Sequence, residues 1–255
     1  MPYWERAPDP RLAAYVERIS FSTDPASAPS PPIRVIPDGR IDMLVSVDRE
    51  GSGCAEVFGV KTVAFWARNL RAVANVAASF RPGAAAALLG IRADALTDHA
   101  LDARELLGAG DTARLLDAKN LAARGALLEA LLLARMPAAK SDTETAVRFA
   151  VARIEARAGR LRIAELAHSL GVGERRLERA FRAHAGVSPK TFARIARFRA
   201  AWRALERGVR TVEIALAQGY FDQPHLLRDF VAFAGDPPCR IFPSPRPAAE
   251  PIVGA

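Results

Sequence analysis

Five charged side chains lie within eight residues: Arg175, Arg176, Glu178, Arg179 and Arg182. They stand off an apolar Leu177–Phe181 step of helical spacing. Arginine carries a planar fork of donors, which matches paired acceptors such as guanine O6 and N7. A second stretch, GYFDQPHLLRDF (219–230), repeats the step as Leu226–Phe230 and holds Gln223, Leu227 and Arg228 off it. Other chemistry is thin. The four histidines (His99, His168, His184, His225) and the two cysteines (Cys54, Cys239) form no cluster with metal-ligand spacing. No Ser/His/Asp set, phosphate loop or carboxylate pair stands out, and Asp38, Asp42 and Asp48 read as turn residues in or near strands. The expectation is a protein without enzymatic activity, cofactor or metal.

The elements that must carry these side chains come as a duplicated frame. IAELAHSLGVGERRLERAFRAHAG (163–186) aligns with VEIALAQGYFDQPHLLRDFVAFAG (212–235), with one extra residue in the second turn. Each copy has an alanine four residues before a glycine: Ala167 with Gly171, and Ala215 with Gly219. Leucine, phenylalanine and glycine then follow at equal intervals, as Leu177, Phe181, Gly186 and as Leu226, Phe230, Gly235. Two helices that cross steeply need a small residue at the crossing and a glycine in the turn. Asp222 is placed to cap the second reading helix, with Pro224 in its first turn. Between the copies, Ser188-Pro189 opens a helix with the apolar stripe Phe192, Ile195, Phe198, Trp202, Leu205, and with Arg194, Arg197, Arg203 and Arg207 mostly on other faces. About 20 residues at 1.5 Å each span roughly 30 Å, near the ~34 Å of one DNA turn.

Charge follows the same division. The 255-residue chain has a net charge of +8, and its first 140 residues carry 17 basic and 16 acidic side chains. Residues 173–210 alone hold eleven basic and three acidic groups, an electrostatic footprint for a polyanion. Only four basic residues are lysine, so an Arg- and Ala-rich coding bias accounts for part of the excess.

The fold class expected is α+β. A β-rich N-terminal domain, a small sheet or barrel followed by helices, occupies 1–137. An all-α domain with two helix-turn-helix units on a linker helix occupies 142–243, and a disordered Pro-rich tail 244–255. Residues 25–32 (PASAPSPP) read as a loop, with strands near 33–36, 41–47, 54–66 and 73–80. RPGAAAALLG leads into a helical stretch, and ADALTDHALDARELL and 115–134 read as helices. Ser141 with Glu144 forms a capping box, and Gly159 ends that helix. No apolar run is long enough for a membrane span, and MPYWERAPDPRL lacks the core of a signal peptide, so a cytoplasmic protein with reduced thiols and no membrane partner is expected. Trp4, Phe65, Trp66 and Phe80 are candidates to line a pocket, with buried core as the plainer expectation for each. Arg81 beside Pro82-Gly83 is a candidate anion site or a plain surface turn.

ELAHSLGVGERRLERAFRAHAGVSPKTFARIARF and EIALAQGYFDQPHLLRDFVAFAGDPP together resemble the AraC/XylS family of bacterial transcription regulators over about 142–242. The resemblance implies two DNA-reading helices. By position it puts base contacts on Arg175, Arg176, Glu178 and Arg179, and on Gln223, Pro224, Leu227 and Arg228; Arg182 joins the first set by its face. PDGRIDMLV and FRPGAAAALLG are similar to an N-terminal region of some members, which often senses a small molecule or dimerises. The implied partners are double-stranded DNA, a small-molecule effector, a second copy of the chain and, for an activator, RNA polymerase. Departures concentrate in the second unit: Pro224 for a usual serine, Leu227 for a small polar residue, an added Asp229, Val231 for a basic residue, and Ile241-Phe242 for an aromatic-Arg pair. They imply a second unit that reads DNA weakly, mostly through shape. Two alternatives stand beside this reading. One is a non-catalytic protein-interaction module. The other is a DNA-modifying enzyme fused to a DNA-binding domain, for which PPCRIF (237–242) resembles the Pro-Cys-His-Arg of DNA alkyltransferases but lacks its histidine.

Overall fold

The computed structural model describes residues 3–23, 32–67, 74–139 and 141–243. The expected tail 244–255, and all but the last residue of the 25–32 loop, lie outside them. The α+β expectation holds. Strands β1 (Tyr3–Arg6), β2 (Val16–Thr23), β4 (Asp42–Val47), β5 (Gly53–Phe58), β7 (Ala74–Phe80) and β8 (Ala100–Asp102) form one antiparallel sheet in the order β1-β2-β7-β4-β5-β8. Strands β3 (Ile33–Val35) and β6 (Phe65–Ala67) pair separately as a short ribbon. Helices α1 (Ala85–Leu89), α2 (Arg104–Leu107), α3 (Ala109–Leu116) and α4 (Leu121–Leu133) follow, with α3 and α4 packed on the sheet.

Three features depart from the expectations. The 54–66 run is divided between β5 and β6, because Gly59 passes so close to Leu96 that a Cβ would sit 1.7 Å from its carbonyl oxygen. ADALTDHALDARELL is no continuous helix. Asp98 has φ +61°, and its carboxylate accepts from the Thr62 amide (2.7 Å) and hydroxyl (2.6 Å). That clamp turns the chain into β8 before α2 begins. Trp4, Phe65 and Trp66 are 45%, 36% and 57% exposed, so only Phe80 of the four aromatics is core. Trp4 instead stacks on Phe21, and Trp66 lies under the Arg34 guanidinium at 4.8 Å. Arg81 is used internally, its Nε donating to the Ala13 carbonyl at 2.7 Å.

The remaining helices are α5 (Asp142–Ala156), α6 (Ile163–Ser169), α7 (Glu174–Ala185), α8 (Pro189–Glu206), α9 (Thr211–Ala217), α10 (Gln223–Ala234) and the short α11 (Pro238–Ile241). Ser141 caps α5 by accepting from the Glu144 amide at 3.0 Å. Two apolar clusters hold the molecule together. The first runs from the sheet (Val45, Val76, Phe80) through α1 and the 3-10 turn Ala93–Leu96 into α5, α6, α7 and the start of α8, ending at Phe192 and Ala193. The second gathers Ile195, Phe198 and Ala201 of α8 with Ile214, Tyr220, Leu226, Phe230 and Phe233.

Candidate nucleic-acid interface

Helices α6 and α7 form one helix-turn-helix, and α9 and α10 another. Ala167 and Ala215 are buried at the two crossings. Both turns close in the same way. Gly171 (φ +65°) donates to the His168 carbonyl and Val172 to Ala167, while Gly219 (φ +70°) donates to Leu216 and Tyr220 to Ala215. This paired closure needs a left-handed residue, which glycine adopts without steric cost. Helices α7 and α10 end alike, at left-handed Gly186 and Gly235. Their starts differ. Asp222 caps α10 by accepting from the His225 amide at 2.7 Å, whereas Gly173 supplies no side-chain cap to α7.

The predicted side chains fall on the open sides of these helices. Arg175, Arg176, Glu178, Arg179 and Arg182 are exposed while Leu177 and Phe181 are buried. Glu178 accepts from Arg182 at 3.0 Å, an i,i+4 pair; Arg175, Arg176 and Arg179 form no ion pair among the described residues. On α10, Gln223 and Arg228 are exposed, and Gln223 donates to the Thr211 hydroxyl at 3.0 Å. Leu227 is half-buried against the second cluster.

Several charges expected outward turn inward. Asp229 is 2% exposed, and its Oδ1 accepts from Arg194 Nη2 at 2.7 Å. It therefore adds no charge to the open side of α10. Arg197 donates to the Gly159 carbonyl at 3.2 Å and lies over the Tyr220 ring at 5.5 Å. Burial lowers the Arg199 pKa, and its Nη1 reaches the Asp38 carbonyl at 3.4 Å. Arg194, Arg197 and Arg199 thus lock α8 to its neighbours, while Arg203 and Arg207 stay exposed. Phe242 closes the second core, edge-on to Trp202 at 4.9 Å.

Sequence reasoning missed two neighbours of this surface. Arg92 and Asp94, from the 3-10 turn of the sheet domain, line a shallow cleft with Arg175, Glu178, Arg179 and Arg182. Arg34 of the ribbon pairs with Asp236 at 2.7 Å and donates to the Ala234 carbonyl, and the Ala64 amide donates to the Phe233 carbonyl. These partners lie some 80 to 200 residues apart in the chain, so no local signal marks them.

Among the described residues no group of His, Cys, Asp or Glu could hold a metal, and no helix is long and apolar enough to cross a membrane. A helix-turn-helix domain family matches residues 166–242, and a domain of unknown function (DUF6597) matches 5–102. No curated protein matches the chain. Among solved structures, a point variant of apo ToxT from Vibrio cholerae is similar at 10% identity, covering 93% of this chain and 98% of that one, with a TM-score of 0.42. Unsaturated fatty acid bound ToxT from the same organism is similar at 9% identity, covering 88% and 93%, with a TM-score of 0.41. The matched helix-turn-helix is of the AraC type, which supports a DNA-binding transcription regulator. Residues 166–242 of this chain thus match an AraC-type helix-turn-helix domain, and they follow an N-terminal region matching a domain of unknown function.

Proposed function

We propose that the chain is a cytoplasmic, non-enzymatic regulator that binds duplex DNA in a sequence-specific way, setting α7 and α10 into successive major grooves. Residues 142–243 form the DNA-binding domain. Arg175, Arg176 and Arg179 meet bases and phosphates under α7, with Glu178 and Arg182 beside them. Gln223, Leu227 and Arg228 lie against the groove under α10. The N-terminal domain, 1–137, serves sensing or dimerisation, with a small-molecule effector, a second copy or RNA polymerase as further partners. One observation carries the reading: the same left-handed turn is built twice, and each time it presents an open helix face bearing arginine. Helix α8, with 18 residues, spans about 27 Å and supplies the offset between the two heads.

Equilibrium binding of the full chain to random-sequence duplexes over a range of salt tests this. Log K should fall by about 0.9 per neutralised phosphate per decade of salt. A flat salt response with no footprint on duplex DNA would instead favour a protein-interaction module.

A further inference from the structure

The two turns differ by one residue, and that residue has an unusual environment. In the first unit two steps lead from Gly171 to the cap position Gly173; in the second, three lead from Gly219 to Asp222. The additional position holds Phe221, which is 92% exposed. Its aromatic neighbours Tyr220, Phe230 and Phe233 are all at or below 5%. Phe221 is not loosely held. The residue before it is fixed by the Tyr220–Ala215 backbone bond, its own amide donates to His225 Nδ1 at 3.4 Å, and the residue after it caps α10. A rigid turn thus holds a bare phenyl ring at the N-terminal end of the second reading helix, the end whose residues meet base edges in this motif. Pro224 is exposed in the first turn of α10, and Leu227 and Arg228 follow three and four residues on, on the same side.

Taking the proposed DNA-binding role as its basis, we infer that the second unit recognises thymine methyl groups. Phe221, Pro224 and Leu227 form an apolar front, flanked by Gln223 and Arg228. In the major groove the one apolar feature a base pair offers is the thymine 5-methyl, which apolar side chains contact directly. The first unit offers α7 arginines instead, suited to guanine. The operator is therefore asymmetric, with thymines concentrated under α10. Continuity of the front with Gln223 and Arg228, on a unit joined through α8 to the strongly basic segment 173–210, favours DNA as the occupant over a protein. Val212 and Leu216 are also exposed, but they lie on α9.

The test uses the full chain and duplexes enriched by it from a random pool. Thymines are replaced by deoxyuridine in one half-site at a time, which removes the methyl and leaves base pairing intact. The half under α10 is identified as the one whose footprint weakens in Arg228→Ala. Deoxyuridine there should lower affinity about fourfold per contacted methyl, the worth of burying one such group, and should have no effect in the other half. Phe221→Ser, at an exposed position where the far-UV spectrum should stay unchanged, should narrow the gap between thymine and deoxyuridine duplexes by about fourfold; Leu216→Ser should keep the full gap. Equal binding of both duplexes by the unaltered chain would overturn the inference, as would a deoxyuridine penalty left undiminished by Phe221→Ser. Failure to enrich any duplex would overturn the DNA-binding reading itself.

Discussion

Removing Arg194 should destabilise the protein more than removing Asp229, although the two share one ion pair. Asp229 is 2% exposed; its Oδ1 accepts from Arg194 Nη2 at 2.7 Å and Nε at 3.2 Å, and its buried Oδ2 accepts no hydrogen bond among the described residues. The Arg194 side chain keeps 42% of its surface in solvent and lies over the Phe233 ring at 5.0 Å. In Asp229→Ala the guanidinium is already half in water and completes its hydration there, so the loss is that of one charge-assisted pair, about 1–2 kcal/mol. In Arg194→Ala a carboxylate is left buried without compensation, which costs roughly 3–5 kcal/mol. The double variant should lie close to Asp229→Ala alone, because removing the stranded charge relieves its penalty. Urea unfolding of the full chain, followed by far-UV circular dichroism, reads these differences as shifts in midpoint at constant slope. Equal losses in the two single variants, or a double variant worse than both, would refute the assignment of Asp229 as a charge held in the core by Arg194.

Other perturbations separate packing from recognition. Gly159→Ala would place a Cβ 1.9 Å from the Ala193 carbonyl oxygen at φ +73°, and should cost about 3 kcal/mol or more. Gly171→Ala, with open space around it, should cost only the left-handed backbone, about 1–2 kcal/mol; thermal melts compare the two. Burial, then the nearby Asp38 charge, raises the Asp42 pKa to about 6, against a Ser79 hydroxyl bond and the Arg18 and Arg40 charges that lower it. A carboxyl raised in the native state favours folding when protonated, so stability should fall between about pH 4 and 6, by on the order of 2 kcal/mol after allowing for partial solvation. Asp42→Asn should remove that slope from the pH dependence of the urea midpoint. Arg179→Ala should weaken specific DNA binding by roughly 1–3 kcal/mol and relax preference at one base pair; an equal loss on all sequences would make it a phosphate contact.

The helix-turn-helix frames were legible because every signal they need is local. Small crossing residue, turn glycine and Leu–Phe step all fall within 24 residues. The sheet was harder to read. Strand β2 carries a register shift between Val16 and Arg18, which breaks the alternation that marks a strand, and β1 is exposed throughout. The segment from Ala93 to Leu107 has helical periodicity, and contacts made some 36 to 46 residues away, the Asp98–Thr62 clamp and the pairing of β8 with β5, divert it. Charges misled for the same reason. Asp229 reads as an outward acid on its own helix, yet its side chain belongs to Arg194, 35 residues earlier. Which faces are open could be inferred from the sequence; which arginines are already engaged could not.

The continuity of the first apolar cluster bears on how the molecule can be dissected. Val147 and Val151 sit against Gly83, Phe192 against Gly39, and the Thr97 hydroxyl donates to the Gly186 carbonyl at 2.5 Å. Severing the chain near residue 140 would strip these surfaces of their cover, so the C-terminal fragment should be sticky and poorly soluble. The leading DNA head is in effect welded to the sheet. Any displacement between the heads must therefore break the trailing head's own ties to the ribbon, the Arg34–Asp236 pair and the Ala64–Phe233 backbone bond.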